Sequence, residues 1–297
     1  MNAAQLFVKC LENEGVEYLF GIPGEENIRL VDAMNGSSIR FILARSEQGA
    51  SFMADMYGRV TGKAGVCMGT SGPGATNLVT AIADAYMDSC PLIAITGQVN
   101  QNMIGRGAFQ ETDIIGVTLP VVKHSYLVTD VNDIPRIVKE AFYIAQSGRP
   151  GPVVIDIPKD VTDPNIRIPY AYPDKIEMRS YNPVTKGHML QIKRAVDLMR
   201  KAERPVLYVG GGMLKARAAE ALREAAKAER FGRDKREAGK GLGEGLPGLG
   251  LAEEIEPEET GSYWTDLDDP LAIPAAPATG PEADVHAPPP APSRRRP

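Results

Sequence analysis

What most constrains the fold of this chain is an alternation of two periods in its first half. Short apolar runs, each closed by glycine, proline or a polar residue, are separated by helix-length segments with apolar residues every three to four positions. Ala3–Glu14 places Ala3, Leu6, Phe7, Cys10 and Leu11 on one stripe and stops at Gly15. A short run at Tyr18–Phe20 precedes a helix over Asn27–Met34, and a strand is predicted at Ile39–Ala44. Ser46 can cap a helix reaching about Arg59, with Gly62 closing it. Strands are predicted at Gly65–Gly69, Pro91–Thr96, Val121–Val128 and Pro152–Ile157, with helices from Pro73 to Asp88 and from Asp133 to Gln146. Pro91–Thr96 is apolar almost throughout, as suits a strand covered on both faces in a parallel sheet. The expected fold is α/β, an open parallel sheet with right-handed crossovers and helices on both faces. Its ligand crevice should lie beyond the C-terminal ends of the strands.

The second half reads differently. Residues 1–160 form the expected first domain, and 161–187, rich in Pro, Asp, Tyr and Asn, read as a linker wrapped on a surface. His188–Arg200 has the pattern of an amphipathic helix, and Pro205–Val209 that of a strand ending at Gly210-Gly-Gly212. Residues 188–230 thus look like the start of a second α/β domain that goes no further. Lys215–Lys227 could be helical, but its apolar face is almost all alanine. Residues 231–297 are expected to be a disordered low-complexity tail. Ten of the chain's 24 prolines lie at or beyond Pro257, and such a composition buries too little apolar surface to offset its ordering entropy.

Two predicted strand ends carry unusual residues. Arg45-Ser-Glu-Gln-Gly-Ala50 puts Glu47 in the first turn of a helix, where the helix dipole alone would favour a carboxylate. Gly69-Thr-Ser-Gly-Pro-Gly-Ala-Thr-Asn77 follows the next strand and opens the next helix. A glycine loop there could cradle an anion, yet it matches neither G-x-G-x-x-G nor G-x-x-x-x-G-K-[ST]. With Phe20-Gly-Ile-Pro-Gly24 before it and Gly107-Ala-Phe-Gln-Glu-Thr-Asp113 after it, the set resembles the N-terminal, pyrimidine-binding domain of thiamine diphosphate-dependent acetolactate synthases. The resemblance runs from about Asn2 to Gly212, with the motifs in matching order and spacing.

The resemblance implies roles. Glu47 would exchange a proton with the cofactor's aminopyrimidine, in a pocket that Ala50, Phe52 and Met53 help to make apolar. Thr70, Gly72, Pro73, Gly74 and Asn77 would lie against the aminopyrimidine, and Gly21 and Pro23 would approach cofactor and substrate from the turn after the first strand. Phe109 would pack near the substrate, Gln110 would contact the reacting centre, and Lys159 would stand near the mouth of the substrate channel. The substrate would be a small 2-keto acid: pyruvate is decarboxylated and joined to a second keto acid. Ser46 stands where many relatives carry His, which leaves substrate preference open among keto-acid carboligases and decarboxylases.

The same resemblance defines what must come from elsewhere. Family members hold the diphosphate and Mg²⁺ through a separate domain with a Gly-Asp-Gly motif, and no such motif occurs in this sequence. FAD, where the family binds it, needs a complete central domain, of which Gly210–Gly212 would be only the start. The chain is therefore expected to supply the aminopyrimidine half of a site, with no metal site of its own. It would pair as a homodimer through this domain or with a separate diphosphate-domain subunit. Three readings follow: a truncated or frame-shifted synthase-like product inactive alone, a natural subunit of a split enzyme, or a non-catalytic interaction protein.

Composition narrows the alternatives. A net charge of -5 argues against nucleic-acid binding, and the basic run Arg294–Arg296 sits at the C-terminus. Cys10, Cys67 and Cys90 are too few and too widely spaced for a disulfide framework or zinc site, and read as buried thiols. His124 and His188 lack metal-ligand spacing. No apolar run approaches a membrane span and no signal peptide is evident, so the expected location is the cytoplasm.

Overall fold

The computed structural model describes residues 1–228, apart from 177, 203 and 204. Its centre is a six-stranded sheet in which every pairing is parallel, in the order β2-β1-β3-β4-β6-β5. The strands are β1 (Tyr18–Gly21), β2 (Arg40–Leu43), β3 (Gly65–Gly69), β4 (Leu92–Gln98), β5 (His124–Leu127) and β6 (Pro152–Pro158). α1 (Ala3–Asn13) precedes β1, and the helices between the strands are α2 (Ile28–Ala33), α3 (Glu47–Thr61), α4 (Pro73–Met87), α5 (Ile114–Thr118) and α6 (Ile134–Gln146). The open parallel sheet expected from the two alternating periods is therefore present.

Side-chain alternation along the strands divides the core in two. Val66 and Met68, Ile93 and Ile95, and Val153, Ile155 and Ile157 face the layer made by α1, α2 and α6. Cys67, Leu92 with Ala94, and Val154 face Ala54 of α3 and Leu78, Ile82 and Ala85 of α4. β3, β4 and β6 are buried along their whole length, which explains why they read as largely apolar runs. Cys10, Cys67 and Cys90 are free and buried, and burial pushes the Cys10 and Cys67 thiols up to about 12.

Local chemistry fixes the helix ends. Asn2 and Gln5 form a capping box at α1. Ser46 caps α3 by accepting a hydrogen bond from Gly49 N at 3.1 Å, and Gly62 ends that helix in the left-handed conformation. Pro73 occupies the first turn of α4, where its missing N–H costs nothing. Differences from the sequence reading are small in this region. β4 runs on to Gln98 rather than stopping at Thr96, β5 is shorter than predicted, and α5 has no counterpart among the predicted elements.

The segment after β6 runs back along the first layer. The amino terminus donates to Ile168 O, Tyr172 Oη donates to Glu14 Oε1, and Lys123 Nζ donates to Tyr181 Oη. Beyond it lie α7 (Met189–Lys201), α8 (Gly211–Lys215) and α9 (Ala219–Ala228). The amphipathic helix at 188–200 is formed, but α7 buries none of its residues. The predicted strand Pro205–Val209 is not formed, and Tyr208 is 99% exposed. This segment has no pairing strand among the described residues, and an isolated strand leaves its backbone groups without ladder partners. Gly211 and Gly212 belong to α8 instead of a strand-end turn, and the predicted Lys215–Lys227 helix is divided at Arg217, whose φ is +50°. The expected low-complexity tail, with Arg294–Arg296, lies outside the described residues.

Candidate active site

β1 and β3 are adjacent, but the chain leaves β1 towards β2 and returns on the opposite side to form β3. This reversal of strand order opens a crevice beyond their C-terminal ends. Gly21 ends β1 there, and a methyl group on it would lie 2.6 Å from Met68 O of β3. The turn that follows is held by Asn27, fully buried, which accepts from Gly24 N at 2.7 Å and donates to Ile22 O at 3.0 Å. Thr70, just past β3, donates to Glu26 Oε2 at 2.7 Å and ties the two strand ends together. Pro23 is exposed on the outside of this turn.

Glu47 sits at the first position of α3, half-buried, with its carboxylate reached by Asn77 of α4: Asn77 Nδ2 donates to Glu47 Oε2 at 3.0 Å. The other oxygen, Oε1, faces the glycine shelf and lies 3.4 Å from where a side chain on Gly74 would begin. A methyl group at Gly74 would also come within 2.7 Å of Thr70. Gly72, the residue before α4, has φ +56° and ψ −119°, a conformation open to glycine. A side chain there would lie 2.7 Å from Gln110 O. The shelf is thus bare backbone beside a carboxylate, a surface on which a flat heterocycle can lie.

The structure brings Gln110 to this place through the loop 105–113, which rests on Gly72. Gln110 itself has φ +56°, an uncommon backbone state for a residue with a side chain. Phe109 beside it is 83% exposed and points away from the core. Glu111 closes the loop by accepting from Gly105 N and, at 2.8 Å, from Ala108 N. Those backbone donors hold its carboxyl below the usual range. Lys159, past β6, is paired with Glu25 of the β1 turn at 2.6 Å, and Arg29 Nη1 donates to Lys159 O at 2.8 Å. Lys159 therefore stands at the rim on the side of the first turn.

Of the neighbours expected to shield Glu47, Ala50 is buried, whereas Phe52 and Met53 are exposed. They turn outward because the inner face of α3 is taken by Ala50, Ser51, Ala54, Asp55 and Gly58. Sequence reasoning did not single out Glu26, Asn27, Gln98 or Asp156. Glu26 and Asn27 were legible in principle, since polar residues just after a Gly-Pro turn are its natural caps. No group of three or more His, Cys, Asp or Glu among the described residues could hold a metal ion, and none of their helices is long and apolar enough to cross a membrane.

Comparison with known proteins accords with this geometry. Residues 1–117 match the family described as thiamine pyrophosphate enzyme, N-terminal TPP binding domain. An acetolactate synthase large subunit of Haemophilus influenzae is 51% identical over 223 residues, 75% of this chain and 39% of that protein. The acetolactate synthase isozyme 3 large subunit of Escherichia coli is 48% identical over 229 residues, 77% of this chain and 40% of the relative. An acetolactate synthase large subunit of Corynebacterium glutamicum is 51% identical over 224 residues, 75% of this chain and 36% of that protein. The chain thus spans about two fifths of the relatives it matches. The switch-point carboxylate, the bare shelf beside it and these matches agree: residues 1–117 match the N-terminal TPP binding domain of thiamine pyrophosphate enzymes, within a chain whose resemblance is to acetolactate synthase large subunits.

Proposed function

We propose that this domain supplies the aminopyrimidine side of a thiamine diphosphate site for acetolactate synthase-type chemistry, decarboxylation of pyruvate and its joining to a second 2-keto acid. The observation that carries the reading is the Glu47–Asn77 pair over the Gly72–Gly74 shelf. When bound, the cofactor supplies the electron sink for decarboxylation. Glu47 holds and exchanges the proton on the aminopyrimidine ring nitrogen, through the oxygen that Asn77 leaves free. Asn77, by donating to Oε2, keeps that carboxylate turned towards the shelf. Gln110 and Phe109 bind and orient the keto acid, and Lys159 stands where an incoming carboxylate meets the rim.

The diphosphate, its Mg²⁺ and any FAD are held by other domains in this reading, and these residues supply the aminopyrimidine half alone. Phe52, Met53, Met56 and Val60 form the outer face of α3 and are all exposed, opposite the face that packs on the sheet. That face would meet a second copy of the domain or a separate diphosphate-domain subunit, and its cover would complete the shield over Glu47.

The test is a chimera in which residues 1–160 replace the matching segment of the Escherichia coli isozyme 3 large subunit, assayed for acetolactate from pyruvate. The chimera should be active, and Glu47→Gln should lower its kcat by about 100-fold or more, the usual scale for a lost acid–base group. Near-unchanged turnover in the Gln variant would overturn the assignment.

A further inference from the structure

β4 ends in Gly97-Gln98, and each of these residues receives one wall of the candidate site. Gly97 lies against the β1 turn: a methyl group on it would sit 2.8 Å from Glu26 Cβ and 3.2 Å from the Glu26 carbonyl carbon. Gln98 belongs to the opposite face of the sheet, together with Thr96 and with Asp156, which is in register with Thr96 on β6. All three side chains are buried.

Their hydrogen bonds allow one arrangement. Gln98 Oε1 accepts from Val99 N at 2.9 Å, so its Nε2 must face the other way. There it donates to Asp156 Oδ2 at 3.0 Å and to Thr112 O at 2.9 Å. Asp156 Oδ1 accepts from Thr96 Oγ1 at 2.6 Å. Both hydrogens of the amide and its oxygen are therefore used. A flipped amide would set its oxygen against the oxygens of Asp156 and Thr112. Thr112 is the last residue but one of the loop that carries Phe109 and Gln110, and Asp113 then caps α5 by accepting from Gly116 N at 2.9 Å. At its other side the same loop rests on Gly72.

We infer that Gln98, oriented by Asp156, is a positioning residue that fixes the Phe109–Gln110 loop over the site. Its value to catalysis rests on the function proposed above, but the mounting itself does not. Asp156 holds the amide whether or not it carries a proton: in either state Oδ2 accepts from Gln98, and a proton on Oδ1 would be donated to the Thr96 hydroxyl oxygen.

The experiment is amide hydrogen exchange of the full chain, read by mass spectrometry on peptides covering 105–113 and, separately, β4 and β6. Gln98→Met keeps the bulk and removes the tether, and should speed exchange in 105–113 by about tenfold or more while the sheet peptides keep their protection. Thr96→Val removes a bond from the same buried cluster without touching Thr112, and should leave the loop at the wild-type rate. Asp156→Asn is the conservative rescue: its Oδ1 can accept from Gln98 while its amide donates to Thr96, so the loop should stay within about twofold of wild type. Should Gln98→Met not fold, Gln98→Asn, too short to reach Thr112, gives the same readout. Unchanged loop exchange in the Gln98 variant overturns the inference, as does equal acceleration by Thr96→Val. An inactive chimera with a Gln98-dependent loop would instead count against the proposed function alone.

Discussion

Residues 1–160 and 188–228 use the same alphabet of apolar residues and reach opposite results. In the first region Leu78, Ile82, Ile93 and Ile95 are fully enclosed, and the strands that carry apolar runs have neighbours on both sides. In the second, Met189, Leu190, Ile192 and Leu198 line a helix that buries nothing, and Val206 and Tyr208 stand almost wholly exposed. The anchoring of the second region is polar: Lys215 Nζ donates to the carbonyl oxygens of Asp88 and Ser89. Periodicity sets which local structure a segment can adopt, whereas stability comes from the partner that removes its apolar face from water.

One substitution made in both regions gives the sharpest contrast. Leu78→Ala opens a cavity between α4 and the sheet and should cost about 3 kcal/mol, within the usual range for buried leucines. Leu198→Ala, at a site 70% exposed, should stay within about 0.5 kcal/mol. Urea unfolding followed by far-ultraviolet circular dichroism measures both. Equal losses would mean that α7 packs in solution against a surface it leaves free here.

The same contrast explains what could be read in advance. The parallel sheet was legible because β3, β4 and β6 are covered on both faces, so most residues in them had to be apolar or small. The Glu47 and Gly69–Asn77 motifs were legible because they lie directly after strands, where the chain must turn. Gln98 and Asp156 were not. Each is a polar residue inside or at the end of a buried strand, and its partner lies on a loop or a neighbouring strand many residues away. Local periodicity carries no trace of such a bond. Pro205–Val209 failed for the converse reason: a strand pattern is satisfied only by a pairing strand that local sequence does not describe.

A buried polar network should also show in the pH dependence of stability, where an exposed segment contributes little. Asp156, on β6, is buried against Thr96 and Gln98 of β4, and burial pushes its carboxyl up to about 7, against a lowering influence from Thr96 and Gln98. Its folded-state pKa lies above the unfolded value, so the folded state holds the extra proton between about pH 4 and pH 7. Stability from this group is complete below the unfolded pKa and falls as pH rises through about 7. Asp156→Asn removes that dependence. It should raise stability at pH 8 by on the order of 1–3 kcal/mol and change little near pH 4, as measured by thermal unfolding across the range. A uniform loss at every pH would show that the charge is needed for packing and that the sign argued here is wrong.

The smallest effect belongs to a piece of the first region that shares the exposure of the second. Loop 105–113 has little core of its own and is closed from within by Glu111, whose carboxylate gathers backbone N–H groups from Gly105 and Ala108. Because those bonds lower the folded pKa of Glu111, the closure they provide is present above the ordinary carboxylate pKa and is lost as pH falls through the lowered value. Glu111→Gln keeps one acceptor oxygen but surrenders the charge, and hydrogen bonds to a neutral acceptor are about half as strong. At pH 8 the variant should be cut by trypsin after Arg106 a few times faster than wild type. Cleavage after Lys193 and Arg194, on the exposed helix α7, should be unchanged and serves as the internal clock. If both rates rise together, Glu111 supports the whole domain rather than its loop. If neither moves, the tether from Gln98 to Thr112 is sufficient to hold Phe109 and Gln110 in place without the staple.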